Sequence, residues 1–124
     1  RTAAGSEGRT VAYAARDGVV VGLLCFADTL RPEAGRTIAR LHRLGVRETL
    51  LLTGDTPESA AAVAEATGIG SVRARMQPEE KQAVLAQLRR SGRTVLMVGD
   101  GINDAPALAA ADVSVAMGDH GAGI

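Results

Sequence analysis

The 124-residue chain has no tryptophan, one tyrosine, one phenylalanine and one cysteine. With aromatics at 2% of residues, its core cannot be anchored on large rings. The 46% hydrophobic share is drawn mainly from Ala, Val and Leu, so many small contacts must do that work. A single cysteine excludes a disulfide framework and a thiolate metal cluster. Cys25 lies inside the apolar run Val19–Ala27 and is expected in the core. Neither sign of charge is in excess: 14 basic and 14 acidic residues give zero formal net charge. That balance gives no electrostatic case for nucleic acid or an anionic membrane as a partner. No apolar run approaches the roughly 20 residues that span a bilayer, and no signal-peptide pattern is present. His42 and His120 have no neighbours at ligand spacing and read as surface residues. The length fits at most one domain, burying about two thirds of the unfolded surface.

What is present is regular punctuation. Residues 1–9 are small and polar and are expected to be a frayed end. Thr10–Ala15 and Val19–Ala27 read as strands joined at Asp17-Gly18, a hairpin signal because glycine tolerates positive φ. Ile38, Leu41 and Leu44 share one helical face, predicting a helix from Pro32 to Leu44. Strand and helix then alternate. Strands are expected at Thr49–Thr53, Val72–Ala74, Thr94–Val98 and Val113–Ala116. Helices are expected at Pro57–Thr67, Pro78–Ser91 and near Ala105–Ala110. Three helices open on proline (Pro32, Pro57, Pro78) and close near glycine (Gly45, Gly68, Gly92), as first-turn and C-terminal preferences dictate. Strands alternating with helices predict a parallel α/β sheet covered on both faces, preceded by a β-hairpin.

In open α/β sheets, ligands bind beyond the carboxyl ends of the strands. Two polar clusters fall at such ends. Gly99-Asp100-Gly101-Ile102-Asn103-Asp104 follows an aliphatic strand. Its two carboxylates and one amide make an oxygen-rich site suited to Mg²⁺, which takes one or two carboxylates and keeps several waters. The glycines let main chain approach a phosphate, and Asn103 or Asp104 can cap the next helix. An Asx-rich turn with a helix cap would use the same residue types. Thr53-Gly54-Asp55 follows a run of leucines. Its hydroxyl can donate to a phosphoryl oxygen, or the segment is a strand-to-helix turn with Thr56 as N-cap before Pro57. Lys81, in the first turn of a helix, reads alone as a surface lysine. A phosphoryl site nevertheless requires a cation against developing charge.

Taken in order, Ala27-Asp28-Thr29-Leu30-Arg31-Pro32-Glu33-Ala34, Leu52-Thr53-Gly54-Asp55, Pro78-Glu79-Glu80-Lys81 and Met97 through Leu108 (MVGDGINDAPAL) resemble the C-terminal part of the phosphorylation domain of P-type ATPases. These pumps form a branch of the haloacid dehalogenase-like superfamily, and the likeness is to its heavy-metal-transporting (type IB-like) members. The resemblance implies an incomplete Rossmann-like sheet of the haloacid dehalogenase-like type. Residues 1–27 would end the nucleotide-binding domain as a hairpin, and residues 28–124 would be the C-terminal part of the phosphorylation domain. It implies that Asp100 coordinates Mg²⁺ with support from Asn103 and Asp104. Thr53 would bind the phosphoryl group, Gly54 and Asp55 would complete that turn, and Lys81 would neutralise charge. ATP would be the parent's substrate and a metal cation its cargo, with a lean towards zinc, cadmium or cobalt over copper. The partners would be the nucleotide-binding, actuator and transmembrane domains, at the cytoplasmic face of a bacterial membrane; the segment itself would be soluble.

The family's nucleophile, the Asp of an Asp-Lys-Thr-Gly-Thr motif, does not occur in these 124 residues. Asp28 follows an apolar run, but Leu30 stands where related phosphatases place a second acid. The chain is therefore expected to be a piece of a longer pump, inactive alone, with a gap in the sheet where the nucleophile strand would lie. Val19–Ala27 is a candidate to fill that gap. The competing readings are a soluble Mg²⁺-dependent phosphatase of the same superfamily and a non-catalytic Mg²⁺- and phosphate-binding remnant.

Overall fold

A computed structural model describes residues 9–27 and 29–118. The expectations for the N-terminal tail, Asp28 and His120 fall wholly or largely outside those residues. Ten elements follow in the order anticipated from the pattern: β1 (Arg9–Arg16), β2 (Val19–Ala27), α1 (Ala34–Arg43), β3 (Leu50–Leu52), α2 (Pro57–Thr67), β4 (Ser71–Arg73), α3 (Pro78–Arg90), β5 (Leu96–Gly99), α4 (Ala105–Ala110) and β6 (Val113–Ala116). They divide between two compact units, separated between Arg75 and Met76.

In the first unit, β1 and β2 pair antiparallel from Arg9↔Ala27 to Arg16↔Val19, with a register shift at Ala14/Ala15. Asp17 and Gly18 both take positive φ (51° and 77°), the geometry a two-residue hairpin needs to follow the strand twist. β3 pairs parallel with β4, Leu51 opposite Val72. Between them α2 starts where expected: Thr56 accepts the Ser59 N–H at 3.3 Å, and Pro57 opens the helix. α1 starts later than Pro32, because the Ala34 N–H bonds the Arg31 carbonyl at 3.0 Å and closes a turn first. The α1 and α2 helices pack where Gly35 lies, since a Cβ there would meet the Ala66 carbonyl at 3.5 Å. Ala60, Ala64 and Thr67 form the buried face of α2. The Thr67 hydroxyl donates to the Val63 carbonyl at 2.7 Å, so its burial leaves no unmet polar group.

In the second unit, β5 and β6 pair parallel, Leu96 opposite Val113 through Gly99 opposite Ala116. Glu80 in the first turn of α3 accepts the Gln77 N–H at 2.7 Å, half of a capping box. The core here is Val84, Leu85, Ala107 and Leu108, where α3 meets α4. The Ser114 hydroxyl donates to the Leu108 carbonyl and ties β6 to α4. The predicted core of small aliphatic side chains is what both units show.

Two expectations change. Among the described residues the strands form three two-stranded sheets and β2 pairs with β1 alone, so Val19–Ala27 fills no gap in a parallel sheet there. The strands are also not covered on both faces: Leu96, Val98, Val113 and Val115 are exposed, as are Val19, Val20, Val21, Leu23 and Leu24. Cys25 is exposed with them rather than buried in a core. A nine-residue apolar run reads as a fully covered strand, but a lone hairpin has no layer to place on either face. Among the described residues no helix is long and apolar enough to cross a membrane.

Candidate functional site

Each polar turn is built by the unit that carries it. In the first unit, β3 delivers Thr53 at its carboxyl end. The Thr53 N–H bonds the Arg73 carbonyl at 3.0 Å, extending the β3–β4 ladder by one rung. The Thr53 hydroxyl oxygen accepts the Asp55 N–H at 3.1 Å. Because that oxygen is the acceptor, the hydroxyl proton is left to be donated outward. Gly54 and Asp55 are exposed. The Asp55 carbonyl accepts the Arg75 N–H at 2.8 Å, and Arg75 sits in the left-handed region at φ 53°. A non-glycine residue there is uncommon, and this one latches the Thr53–Asp55 turn to the end of β4. No sequence pattern points to Arg75, since its contribution is main chain.

In the second unit, β5 ends at Gly99 and the chain turns into α4. Asp100 Oδ1 accepts the N–H groups of Ile102 (3.0 Å) and Asn103 (3.3 Å), an Asx turn that fixes the carboxylate at the strand mouth. Oδ2 has no hydrogen-bond partner among the described residues. Gly99 is required by close approach, since a Cβ there would stand 3.0 Å from both Cβ and Oδ2 of Asp104.

Asp104 occupies the N-cap position of α4, but its carboxylate makes no cap hydrogen bond. It accepts instead from Lys81 Nζ at 2.9 Å, with the two side chains 15% and 16% exposed. Lys81 is thus no solvated surface lysine. The helix cap expected of Asp104 is replaced by an ion pair, because α3 brings an ammonium to the spot where a cap would close. Lys81 keeps two further N–H donors. Asn103 is exposed, its backbone in the Asx turn. The structure therefore brings Lys81, Asp100, Asn103 and Asp104 to one strand end, while Thr53, Gly54 and Asp55 stand at another.

Asp100 and Asp104 supply carboxylate oxygens, but among the described residues no group of three or more His, Cys, Asp or Glu side chains could form a metal cage. A two-carboxylate set fits a hard divalent cation that keeps most of its water, as Mg²⁺ does, and does not fit a dehydrated soft-metal site.

Comparison with known proteins identifies the family. The profile of haloacid dehalogenase-like hydrolases matches residues 1–112. The manganese-exporting P-type ATPase of Mycobacterium tuberculosis is 48% identical over 112 residues, covering 90% of this chain and 16% of the relative. The zinc-exporting P-type ATPase of Mycobacterium marinum is 49% identical over 112 residues, covering 90% and 15%. The chain thus spans about a sixth of the length of the curated relatives it matches. Among solved structures, a zinc-transporting PIB-type ATPase in the E2.Pi state superposes with a TM-score of 0.70 at 41% identity, covering 90% of this chain and 18% of that one. The chain belongs to the haloacid dehalogenase-like hydrolase family, and the relatives it matches are metal-exporting P-type ATPases.

Proposed function

We propose that the chain supplies the Mg²⁺- and phosphoryl-binding residues of an aspartyl-phosphate site in an ATP-driven, metal-exporting P-type pump. The observation that carries this reading is the turn at the end of β5. Asp100 is fixed by two main-chain N–H groups, with one carboxylate oxygen unengaged among the described residues, beside an ion-paired Asp104 and Lys81. Relatives at 48–49% identity that export metals support it.

Each residue then has a physical task. Asp100, with Asp104 and Asn103, would hold Mg²⁺, which when bound neutralises charge on a phosphoryl oxygen. Thr53 donates its hydroxyl proton to the phosphoryl group while its oxygen stays committed to the Asp55 N–H. Lys81 has further N–H donors for phosphoryl oxygens, and Asp104 holds the ammonium in place. Gly54 and Asp55 keep the Thr53 turn open. With no Asp-Lys-Thr-Gly-Thr motif in these 124 residues, the nucleophile and the ATP-binding loop belong to other parts of the pump.

In this reading residues 1–27 end the nucleotide-binding domain and residues 28–124 belong to the phosphorylation domain. Among the described residues β1 and β2 pair only with each other, which supports that division, while the compact units part later, after Arg75. The partners are the nucleotide-binding, actuator and membrane domains, and the place is the cytoplasmic face of a bacterial membrane. Cargo is open between metals, since manganese and zinc exporters match equally well.

A chimera tests the reading. Residues 1–112 replace the matching segment of the Mycobacterium marinum zinc exporter in membrane vesicles. ATP-dependent zinc transport and a hydroxylamine-sensitive phosphoenzyme are expected, both lost on Asp100→Ala. A chimera that is folded and inserted but cannot be phosphorylated by ATP would overturn it.

A further inference from the structure

Helix α3 carries two ionic contacts at opposite ends of one row. Lys81, Leu85 and Arg89 recur at intervals of four, which stacks them along one side of the helix over about 12 Å. At the first end Lys81 Nζ meets Asp104 Oδ1 at 2.9 Å. In the middle Leu85 is buried to 2% exposure. At the far end Arg89 Nε meets Asp112 Oδ1 at 3.0 Å, while Arg89 Nη1 donates to the Ala110 carbonyl at 3.0 Å.

Asp112 is itself committed twice. Its Oδ2 accepts the Val95 N–H at 2.8 Å, and its own N–H returns to the Val95 carbonyl at 3.0 Å. One guanidinium thus joins the C-terminal end of α3, the last carbonyl of α4 and the start of β5. Those are the three segments whose opposite ends carry Lys81, Asp104 and Asp100.

The geometry points to Arg89 and Asp112 as a positioning pair: by fixing α3 against α4 and β5 at the far end, they hold Lys81 within hydrogen-bond reach of Asp104 at the site end. The reason is leverage. α4 is only six residues long and buries two side chains, Ala107 and Leu108, so little packing opposes its turning against α3. An ionic contact at each end of the row removes that freedom. Arg89 is suited to this because its fork meets a carboxylate and a carbonyl at once, which a lysine ammonium cannot match. The Mg²⁺ part of the consequence rests on the function proposed above; the Lys81–Asp104 part does not.

The test uses the 124-residue chain with isotope labels. MgCl₂ is titrated while the amide signals of Gly99–Asp104 are followed, and the exchange rate of the Lys81 ammonium protons is measured without metal. Asp112→Asn keeps an acceptor for the Val95 N–H and loses the ion pair. Arg89→Lys keeps charge and loses the fork, and serves where Asp112→Asn fails to fold. Ala62→Gly, on the exposed side of α2, is a control for general loss of stability. Asp112→Asn is expected to weaken Mg²⁺ binding about tenfold, the low end for partners that hold a ligand in place. It should also speed Lys81 ammonium exchange several-fold, with Arg89→Lys intermediate and Ala62→Gly unchanged in both. If wild type binds no Mg²⁺ on its own, the exporter chimera decides the functional reading, and the positioning pair stands or falls on Lys81 exchange alone. Ammonium exchange in Asp112→Asn or Arg89→Lys equal to that in Ala62→Gly would overturn it.

Discussion

At the turn after β3 the holding is done by main chain: the Arg73 carbonyl on one side, the Arg75 N–H on the other, and a hydroxyl closing the loop on its own backbone. At the turn after β5 it is done by ionised side chains, with Asp100 gathering two N–H groups and Lys81 reaching across from α3 to Asp104. Both turns follow a short aliphatic strand and precede a helix. The difference is what each can tolerate. A main-chain turn accepts nearly any side chain that leaves its dihedrals alone, whereas an ion-paired turn is sensitive to each charge it contains.

Four substitutions would break or sharpen that contrast. The chain lacks tryptophan and has one tyrosine, in the hairpin, so unfolding is best followed by circular dichroism or amide exchange. Lys81→Met leaves Asp104 largely buried without its partner and should cost about 3 kcal/mol, the low end for breaking a buried pair. Urea-induced loss of α3 and α4 would show it as an earlier midpoint. Gly99→Ala drives a methyl group against the Asp104 side chain and should cost about 2 kcal/mol by overpacking. Amide exchange should quicken across Asp100–Leu108 and stay unchanged in α2. Thr53→Val removes only the acceptor for the Asp55 N–H at an exposed turn, so its stability cost should be about 1 kcal/mol or less. In the exporter chimera, by contrast, it should cut phosphoenzyme formation steeply. Arg75→Gly relieves a left-handed residue, a gain of about 1–2 kcal/mol, offset by roughly 0.5–1 kcal/mol of added chain entropy. The midpoint should rise slightly, and a fall would show that the Arg75 side chain, not its main chain, secures the turn.

Element order, helix starts at Pro57 and Pro78, the Thr56 cap and the Asp17-Gly18 hairpin were legible because each depends on residues within a few positions of one another. The oxygen-rich turn at Gly99–Asp104 was legible for the same reason. The pairing of Lys81 with Asp104 was not, because it joins residues 23 positions apart, one in α3 and one at the N-cap of α4, and leaves no mark on either local pattern. The exposure of Cys25 is not legible for a similar reason: an apolar run states what a strand could bury, not whether a second layer is there to bury it. α1 began late because a turn closed by the Ala34 N–H takes the place of the first helical turn that Pro32 would otherwise have opened.

The hairpin has a practical consequence for any work with the purified chain. Among the described residues its two strands pair only with each other, so both outer edges present open rows of N–H and C=O groups, flanked by exposed Tyr13, Val19, Val20 and Val21. Such edges are templates for strand addition between molecules. Self-association will therefore set the usable concentration before unfolding does, and it will begin at the hairpin, far along the sequence from the Gly99–Asp104 turn. A lysine at Val20 would raise that ceiling without touching a residue of either polar turn.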